Sequence, residues 1–286
     1  MRKDALADKQ KARTKPRDDY SVCDQGNLSN MLGVTDFAPR ICLIIGSAPD
    51  AVRARSFDCG RVDSIVAINN GWRIRDDWTH VVYPEDFPPV KRPVAEPGQQ
   101  VITAEQFVPA NNASGGIIYA GATMAFTAAY WALHALQPAV MAFIGTDMVY
   151  DGSHTSTHFY GDGEADPLRD DPTLASLEAK ANRLLFCALE RECLCVNLSN
   201  QPRSRLTFPR LEAASLAINQ SDMIEHRKRE LETGFDKEQA NRALDEERRR
   251  ACFVESGDYW NFPDQWNAED LALIDALWLE VFKPSN

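Results

Sequence analysis

The chain has 286 residues, 44% hydrophobic and 26% charged, which suits one large domain or a core domain with a smaller helical appendage. Its net charge of −11 argues against nucleic-acid binding, because such proteins present a basic face to the phosphate backbone. No apolar run approaches the roughly 18 residues of a membrane helix. The seven cysteines lack disulfide or zinc spacing, and residues 1–19 do not resemble a secretory signal. These features predict a cytoplasmic protein with no transmembrane segment and no metal.

Six short apolar runs, rich in β-branched residues and followed by turn residues, predict buried strands. They cover residues 41–45, 63–68, 80–83, 100–103, 139–144 and 193–197. Two helical patterns, at residues 119–136 and 174–190, separate the later strands. Strands that alternate with helices predict an α/β Rossmann-like domain over residues 40–210, with a mostly parallel sheet and helices on both faces.

The two ends of the chain differ from this core. Residues 1–39 are charged and show no sustained periodicity, which predicts an N-terminal arm. Residues 211–286 predict a C-terminal helical region, with Gly234 as a helix stop. Three residues in it resemble helix caps with a partner three positions on. They are Asp222, Asp236 and Asn267.

Polar and glycine residues follow four of the predicted strands. In a parallel sheet ligands bind beyond the carboxyl ends of the strands, so four such endings predict one binding site. These residues are Gly46, Ser47, Asn69, Asn70, Tyr83, Glu85, Asp86 and Asp147. A helix that begins after the Gly46 turn could hold a phosphate through its backbone N–H groups.

A long polar loop, residues 148–172, follows the fifth strand and contains His154 and His158. Loops of this length are usually functional or disordered, and aromatic residues that could anchor this one favour a lid over the strand ends. The histidines have three readings: solvent-exposed or structural residues, metal ligands beside Asp151, or a general base. Glycines in the loop disfavour a helix, and with it the metal reading, because a four-residue spacing pairs histidines only on a helix.

Several short motifs occur in an order that resembles the bacterial family 42 sialyltransferases. They are Gly46-Ser-Ala-Pro, Ile68-Asn-Asn, Ser114-Gly115, Gly145-Thr-Asp147 and Thr157-His-Phe-Tyr-Gly161. The chain is also similar to a related family that contains the archaeal hydroxymethylpterin diphosphokinase, in which an alanine-rich helix precedes a strand ending in Gly-x-Asp. The resemblance covers residues 41–200.

The first resemblance implies roles for individual residues. His158 falls on the lid histidine that acts as general base in the sialyltransferases, and Asn69 falls on their asparagine after the second strand. Three positions depart from the pattern. Thr155 replaces a tyrosine that contacts the leaving phosphate, Ser47 replaces an asparagine of the first turn, and Tyr83 replaces an asparagine near the third strand.

The resemblance therefore implies a transferase that uses a nucleotide-activated donor, cytidine-based, and a glycan acceptor. The residues implied for catalysis are His158, Tyr150, Thr155 and Arg169. Those implied for nucleotide or substrate binding are Gly46, Ser47, Ala48, Asn69, Asn70, Asp86, Ser114, Gly115 and Asp147. No cofactor is expected, and a homo-oligomer is compatible with this reading.

Two alternatives stay open. A diphosphokinase-like enzyme would need Mg²⁺ to bridge phosphates, with Asp86 and Asp147 as candidate ligands. A catalytically degenerate nucleotide-binding or assembly protein would give a role to the N-terminal arm and the C-terminal helical region.

Overall fold

Six strands form a single sheet in which every neighbouring pair is parallel. The computed structural model describes residues 39–121, 123–150, 157–161, 171–218, 221–262 and 265–282. The strands are β1 (Ile41–Ile45), β2 (Ser64–Ile68), β3 (His80–Val82), β4 (Gln100–Ile102), β5 (Val140–Ile144) and β6 (Leu194–Asn197). The predicted Rossmann-like α/β fold is confirmed. Among the described residues, no helix is long and apolar enough to cross a membrane.

The centre of the sheet is apolar because both of its faces are covered. Every residue of β1 and β5 is buried, which explains why their sequences are continuous apolar runs and not alternating ones. In register, Ile44 of β1 lies between Val66 of β2 and Phe143 of β5.

The order of the strands, β4-β3-β2-β1-β5-β6, determines where a ligand could bind. The chain builds outward from β1 to β4, then crosses back and places β5 on the other side of β1. The connections that leave β1 and β5 therefore diverge, so the carboxyl ends of these two strands form a topological switch point. This topological switch point is where open α/β sheets bind ligands.

Seven α-helices accompany the sheet in the described residues. They are α1 (Ala104–Asn112), α2 (Ile117–Ala120), α3 (Met124–Ala135), α4 (Leu177–Leu189), α5 (Ser221–Gly234), α6 (Lys237–Arg249) and α7 (Ala268–Leu279). The crossovers after β1 and β2 are instead 3-10 helices, Pro49–Ser56 and Asn69–Arg73. Residues 38–286 form one compact unit, so the C-terminal helices pack together with the sheet.

Two helices differ from the prediction for local reasons. The single helix expected over residues 119–136 is divided into α2 and α3 at Gly121, where a Cβ would lie only 2.6 Å from the carbonyl oxygen of Ile117. Helix α1 was not predicted, although Thr103 and Gln106 form a capping box at its start. The three-residue spacing of Thr103 and Gln106 in the sequence could have predicted the start of this helix.

Most of the expected helix ends are confirmed. The Asp236 side chain accepts from the backbone N–H of Gln239 at 3.0 Å, Asn267 caps α7 in the same way, and α5 ends at Gly234. The prediction for Asp222 is wrong, because α5 begins at Ser221 and Asp222 lies within its first turn.

A buried ion pair joins α4, which packs against β6, to α6. Arg183 is fully buried, and its guanidinium donates to both carboxylate oxygens of Glu247 at 2.8 Å. The same guanidinium donates to the Tyr130 hydroxyl at 2.8 Å and to the Ser114 carbonyl at 2.6 Å. The Trp278 indole of α7 donates to Glu247 at 2.7 Å. Every part of this network is satisfied, so it fixes the C-terminal helices against α3 and α4.

A second charge is buried beside this pair. The Lys180 ammonium donates to the Ile118 carbonyl and lies 4.3 Å from the centre of the Tyr119 ring. Burial lowers the pKa of Lys180 to about 8 and raises the pKa of the neighbouring Asp275 to about 6. The contact between α4 and α7 therefore contains two buried ionisable groups, Lys180 and Asp275.

Replacing Glu247 by glutamine should lower the free energy of unfolding by about 3–5 kcal/mol, because the Arg183 guanidinium would stay buried without a counter-charge. Urea denaturation measures this change. Asp245→Asn, which removes an exposed carboxylate from the same helix, is the matched control and should change the stability little. Equal effects of the two substitutions would contradict the role assigned to the buried pair.

Candidate functional site

Three glycines bring the ends of β1, β2 and β5 into backbone contact. A Cβ on Gly46, after β1, would lie 2.2 Å from the carbonyl oxygen of Gly145, after β5. A Cβ on Gly71, in the 3-10 helix after β2, would lie 2.5 Å from the carbonyl oxygen of Ile45. Gly145 also has φ +70, a left-handed conformation that favours glycine. The glycines therefore let the main chains at the switch point pack closely against one another.

Four of the eight buried side-chain polar atoms that lack a hydrogen-bond partner in the described part of the chain lie at this edge of the sheet. Asn69 Oδ1, Asn70 Oδ1, Thr146 Oγ1 and Asp147 Oδ1 are buried and have no hydrogen-bond partner among the described residues. Asn70 is 3% exposed, and Thr146 and Asp147 are each 5% exposed. Because buried polar atoms in native proteins are nearly always bonded, these atoms are expected to bind a ligand or ordered water. They mark the candidate site.

Asp147 connects the site to the end of β6. Its Oδ2 accepts from the Ser199 hydroxyl at 2.6 Å, which leaves Oδ1 as the atom without a partner. The backbone N–H of Ser199 donates to Asn197 Oδ1 at 2.9 Å, and that of Asn200 donates to Asp50 Oδ2 at 3.3 Å. Sequence reasoning did not include Ser199 and Asn200, although both follow a predicted strand and the strand-end rule would have found them.

Two residues at the strand ends adopt left-handed backbone conformations without being glycine. Asn69 has φ 51 and Met148 has φ 55. Asparagine tolerates this region, whereas a buried methionine does so at an energetic cost that the surrounding structure must offset. Such strain is frequent at functional sites, and here it occurs at the ends of β2 and β5.

The segment Thr157–Gly161 is docked on the turn after β1. The backbone N–H of Phe159 donates to the Ser47 carbonyl at 3.0 Å, and His158 and Gly161 exchange backbone hydrogen bonds at 3.1 Å. His158 is 7% exposed and stacks on Tyr160 with the ring centres 4.9 Å apart. The structure thus places His158 beside the first strand-end turn.

The environment of the His158 ring favours its neutral form. Burial lowers the pKa of His158 below its ordinary value, and the positive charge of Lys91 lowers it further. Nδ1 lies 2.8 Å from the Thr157 hydroxyl. An imidazole that donates from Nδ1 to this hydroxyl carries its basic lone pair on Nε2, which has no partner among the described residues.

The remaining strand-end residues lie around this centre. Ala48 donates its backbone N–H to the Gly145 carbonyl at 3.0 Å, next to the half-buried Ser47. Asp86 follows β3 and is exposed. Tyr150 packs on the core just beyond the end of β5.

Ser114 and Gly115 lie elsewhere. The Ser114 hydroxyl contacts His134 Nε2 at 2.9 Å, in the last turn of α3, and a Cβ on Gly115 would lie 2.7 Å from Arg183. The expectation that they contact the substrate is therefore replaced by a structural role beside the Arg183 network. The Ser114-Gly115 motif resembles the family pattern in sequence, but the chain after α1 places it against α3 and α4.

The other predicted catalytic residues, Thr155 and Arg169, lie outside the described residues, as does His154. Of the predicted lid, residues 148–172, the structure describes residues 148–150, the Thr157–Gly161 turn and residues 171–172. Comparisons with protein families, with curated proteins and with solved structures find no match to this chain.

Gly46→Ala should lower the free energy of unfolding by about 1–3 kcal/mol, the usual cost of forcing an extra methyl group into a filled space. The carbonyl of Gly145 would have to move away from the new Cβ. Gly60→Ala is the matched control, since a Cβ there would meet only the Asp58 carboxylate, at 3.3 Å. Thermal denaturation compares the two variants, and equal stability would contradict the close backbone contact.

Proposed function

We propose that the switch point at the ends of β1, β2 and β5 binds a nucleotide-activated donor, and that the protein transfers the activated group to a hydroxyl of an acceptor. The observation that carries this proposal is the docking of His158 on the Ser47 turn, beside buried polar atoms that lack partners. A sialyltransferase-like glycosyl transfer is the reaction class that fits both this arrangement and the resemblance of the motifs.

The unpartnered atoms favour a nucleotide because of their hydrogen-bonding character. The free oxygen of Asp147 is an acceptor only, so it needs a donor from the ligand. Ribose hydroxyls and the exocyclic amino group of a base are such donors, whereas a fully ionised phosphate is not. Asn69 and Asn70 add side-chain amides that can accept from or donate to a nucleoside. This edge therefore suits the nucleoside portion of the donor.

His158 supplies the base that such a transfer requires. In the proposed step the acceptor oxygen bonds to the donor's anomeric carbon, and the bond from that carbon to the phosphate oxygen breaks. The phosphate leaves with the electron pair, and the acceptor's proton moves to Nε2 of His158. A neutral imidazole at pH 7 can take this proton, as the lowered pKa permits. Tyr150, Thr155 and Arg169 keep their proposed role of stabilising charge on the departing phosphate.

Nucleotide binding is the first test of this function. A ligand at 100 times its dissociation constant stabilises the native state by about 2.7 kcal/mol, so a screen of melting temperatures should detect it. Cytidine nucleotides should give the largest shift. Asp147→Asn should reduce that shift, because the carboxylate is lost from the site, while Asp245→Asn should not. A screen in which purine nucleotides alone raise the melting temperature would reject a cytidine-activated donor.

Removal of the base is the second test. His158→Ala should lower the transfer rate by about 10²–10⁴-fold, the usual contribution of a positioned base, with nucleotide affinity nearly unchanged. His226→Ala is the matched control, since His226 lies on the exposed surface of α5. Radiolabelled or mass-detected product formation gives both rates. Equal activity of the two variants would remove His158 from the reaction.

The pH profile of the wild-type protein is the third test. A base must be deprotonated to act, so kcat/KM should rise with pH through the pKa of His158 and then level off. Because that pKa is lowered, the ascending limb should lie below the ordinary imidazole value of about 6.5. A limb centred above this value would contradict the neutral histidine.

The diphosphokinase-like reaction is a second candidate, supported by the unpartnered carboxylate oxygen of Asp147. Carboxylate oxygens are ligands that Mg²⁺ prefers, and a phosphate-bridging ion could bind there with Asp86. Activity that requires Mg²⁺ and is lost on chelation would favour this candidate over the glycosyl transfer.

A further inference from the structure

Ser199 is held in one position through both its backbone and its side chain. Its backbone N–H donates to Asn197 Oδ1 at 2.9 Å, and its carbonyl accepts from the Arg210 guanidinium at 2.7 Å. Its side-chain oxygen accepts from the backbone N–H of Gln201 at 3.1 Å. The residue is buried, with 4% of its surface exposed. The segment that follows β6 therefore fixes where the Ser199 hydroxyl lies.

The hydroxyl proton of Ser199 is committed to Asp147. A hydroxyl has a single proton to donate, and this one is donated to Asp147 Oδ2 at 2.6 Å. The backbone carbonyl of Asp147 accepts from the N–H of Arg205 at 2.9 Å, so Asp147 is bound to the segment after β6 at two points. These bonds determine the rotation of the Asp147 carboxyl group, and with it the direction of Oδ1.

Oδ1 of Asp147 differs chemically from the other unpartnered atoms. Eight buried side-chain polar atoms lack a partner in the described part of the chain, and this is the only carboxylate oxygen among them. A buried carboxylate oxygen without a donor costs more free energy than a buried amide or hydroxyl oxygen. Thr146, the preceding residue, packs against the end of β1, where a Cβ on Gly46 would lie 2.6 Å from its Cγ2. The atom that most needs a donor therefore lies at the switch point.

We propose that Ser199 is a positioning residue of this site, which orients Asp147 so that Oδ1 accepts a hydrogen bond from a donor group of the bound nucleoside. This inference rests on the nucleotide site proposed above. Two kinds of group on a nucleoside have the required chemistry, the exocyclic amino group of the base and the ribose hydroxyls. Ligands that lack the donor bind less tightly, because the buried Oδ1 then stays without a partner.

The experiment measures the dissociation constants of nucleoside 5′-monophosphates for the full chain by isothermal titration calorimetry. The cytidine and uridine pair, like the adenosine and inosine pair, exchanges an amino group for a carbonyl. Each ribonucleotide and its 2′-deoxy form differ by one hydroxyl. Wild-type protein should prefer the donor-bearing member of one kind of pair by about 10- to 100-fold, the range that a hydrogen bond to a charged group contributes. The kind of pair identifies the donor.

Ser199→Ala should reduce that preference several-fold, because the carboxyl group can then rotate away from the ligand. Ser199→Thr keeps the hydroxyl and should retain the preference. Ser204→Ala is the matched control, since the Ser204 oxygen accepts from Asn197 Nδ2 at 3.0 Å in the same segment and has no bond to Asp147 among the described residues. It should leave the preference unchanged. A ratio of two affinities does not respond to a loss of stability that affects both ligands equally.

Asp147→Asn supplies a second test if the wild type selects the amino group. The Ser199 proton still needs an acceptor, so the amide should turn its oxygen to Ser199 and its NH₂ group to the ligand. The ligand-facing atom then changes from an acceptor to a donor, and the preference for an amino group should become a preference for a carbonyl. In the double variant Asp147→Asn/Ser199→Ala the amide can rotate freely, and this reversed preference should disappear.

Equal binding of both members of every pair to the wild type would overturn the inference, as would the absence of binding by all of these nucleotides. An unchanged preference in Ser199→Ala, or an equal loss in Ser204→Ala, would reject the role of Ser199. The result is separable from the proposed function. Ser199-dependent selection without transfer of a group would reject the transferase and keep the binding site. His158-dependent transfer with no effect of Ser199→Ala on the preference would do the reverse.

Discussion

The contact between the backbones of Gly46 and Gly145 is the constraint on which the candidate site depends. It joins the ends of β1 and β5, the two strands from which the chain departs in opposite directions. No side chain larger than hydrogen fits at Gly46, so the switch point consists of main-chain groups and of the polar residues that follow them. The position of the site is therefore a consequence of strand order combined with glycine at two strand ends.

The polar groups at the carboxyl ends of the strands are of two kinds. Asn70 and Asp147 are buried and present atoms that lack partners, which suits the donor groups of a nucleoside. His158 approaches from a surface segment that docks on the turn after β1, and its imidazole suits proton transfer. The two sets together fit the nucleotide-activated donor and the acceptor hydroxyl proposed above.

A different kind of polar cluster lies among helices α3, α4, α6 and α7. Arg183 and Glu247 are buried and fully bonded, so they contribute structure and leave no atom for a ligand. Their cost is the desolvation of two charges, offset by contacts with Tyr130 and Trp278. The Arg183–Glu247 pair is therefore a structural cluster, whereas the strand ends combine unpartnered polar atoms with a docked histidine.

The sequence alone determined the features that depend on neighbouring residues. The apolar run Ile41–Ile45 predicts a buried strand, Asp236 predicts a helix cap, and the parallel-strand rule groups Asn69 with Asp147 without knowledge of their distance. Only the tertiary structure decided the features that depend on distant residues. The path of the chain after α1 carries Ser114 to Arg183, and the bond from the Phe159 N–H to the Ser47 carbonyl holds His158 beside the turn after β1. Such contacts join residues far apart in the chain, and no local pattern encodes them, because they form only when the sheet and its connections have packed.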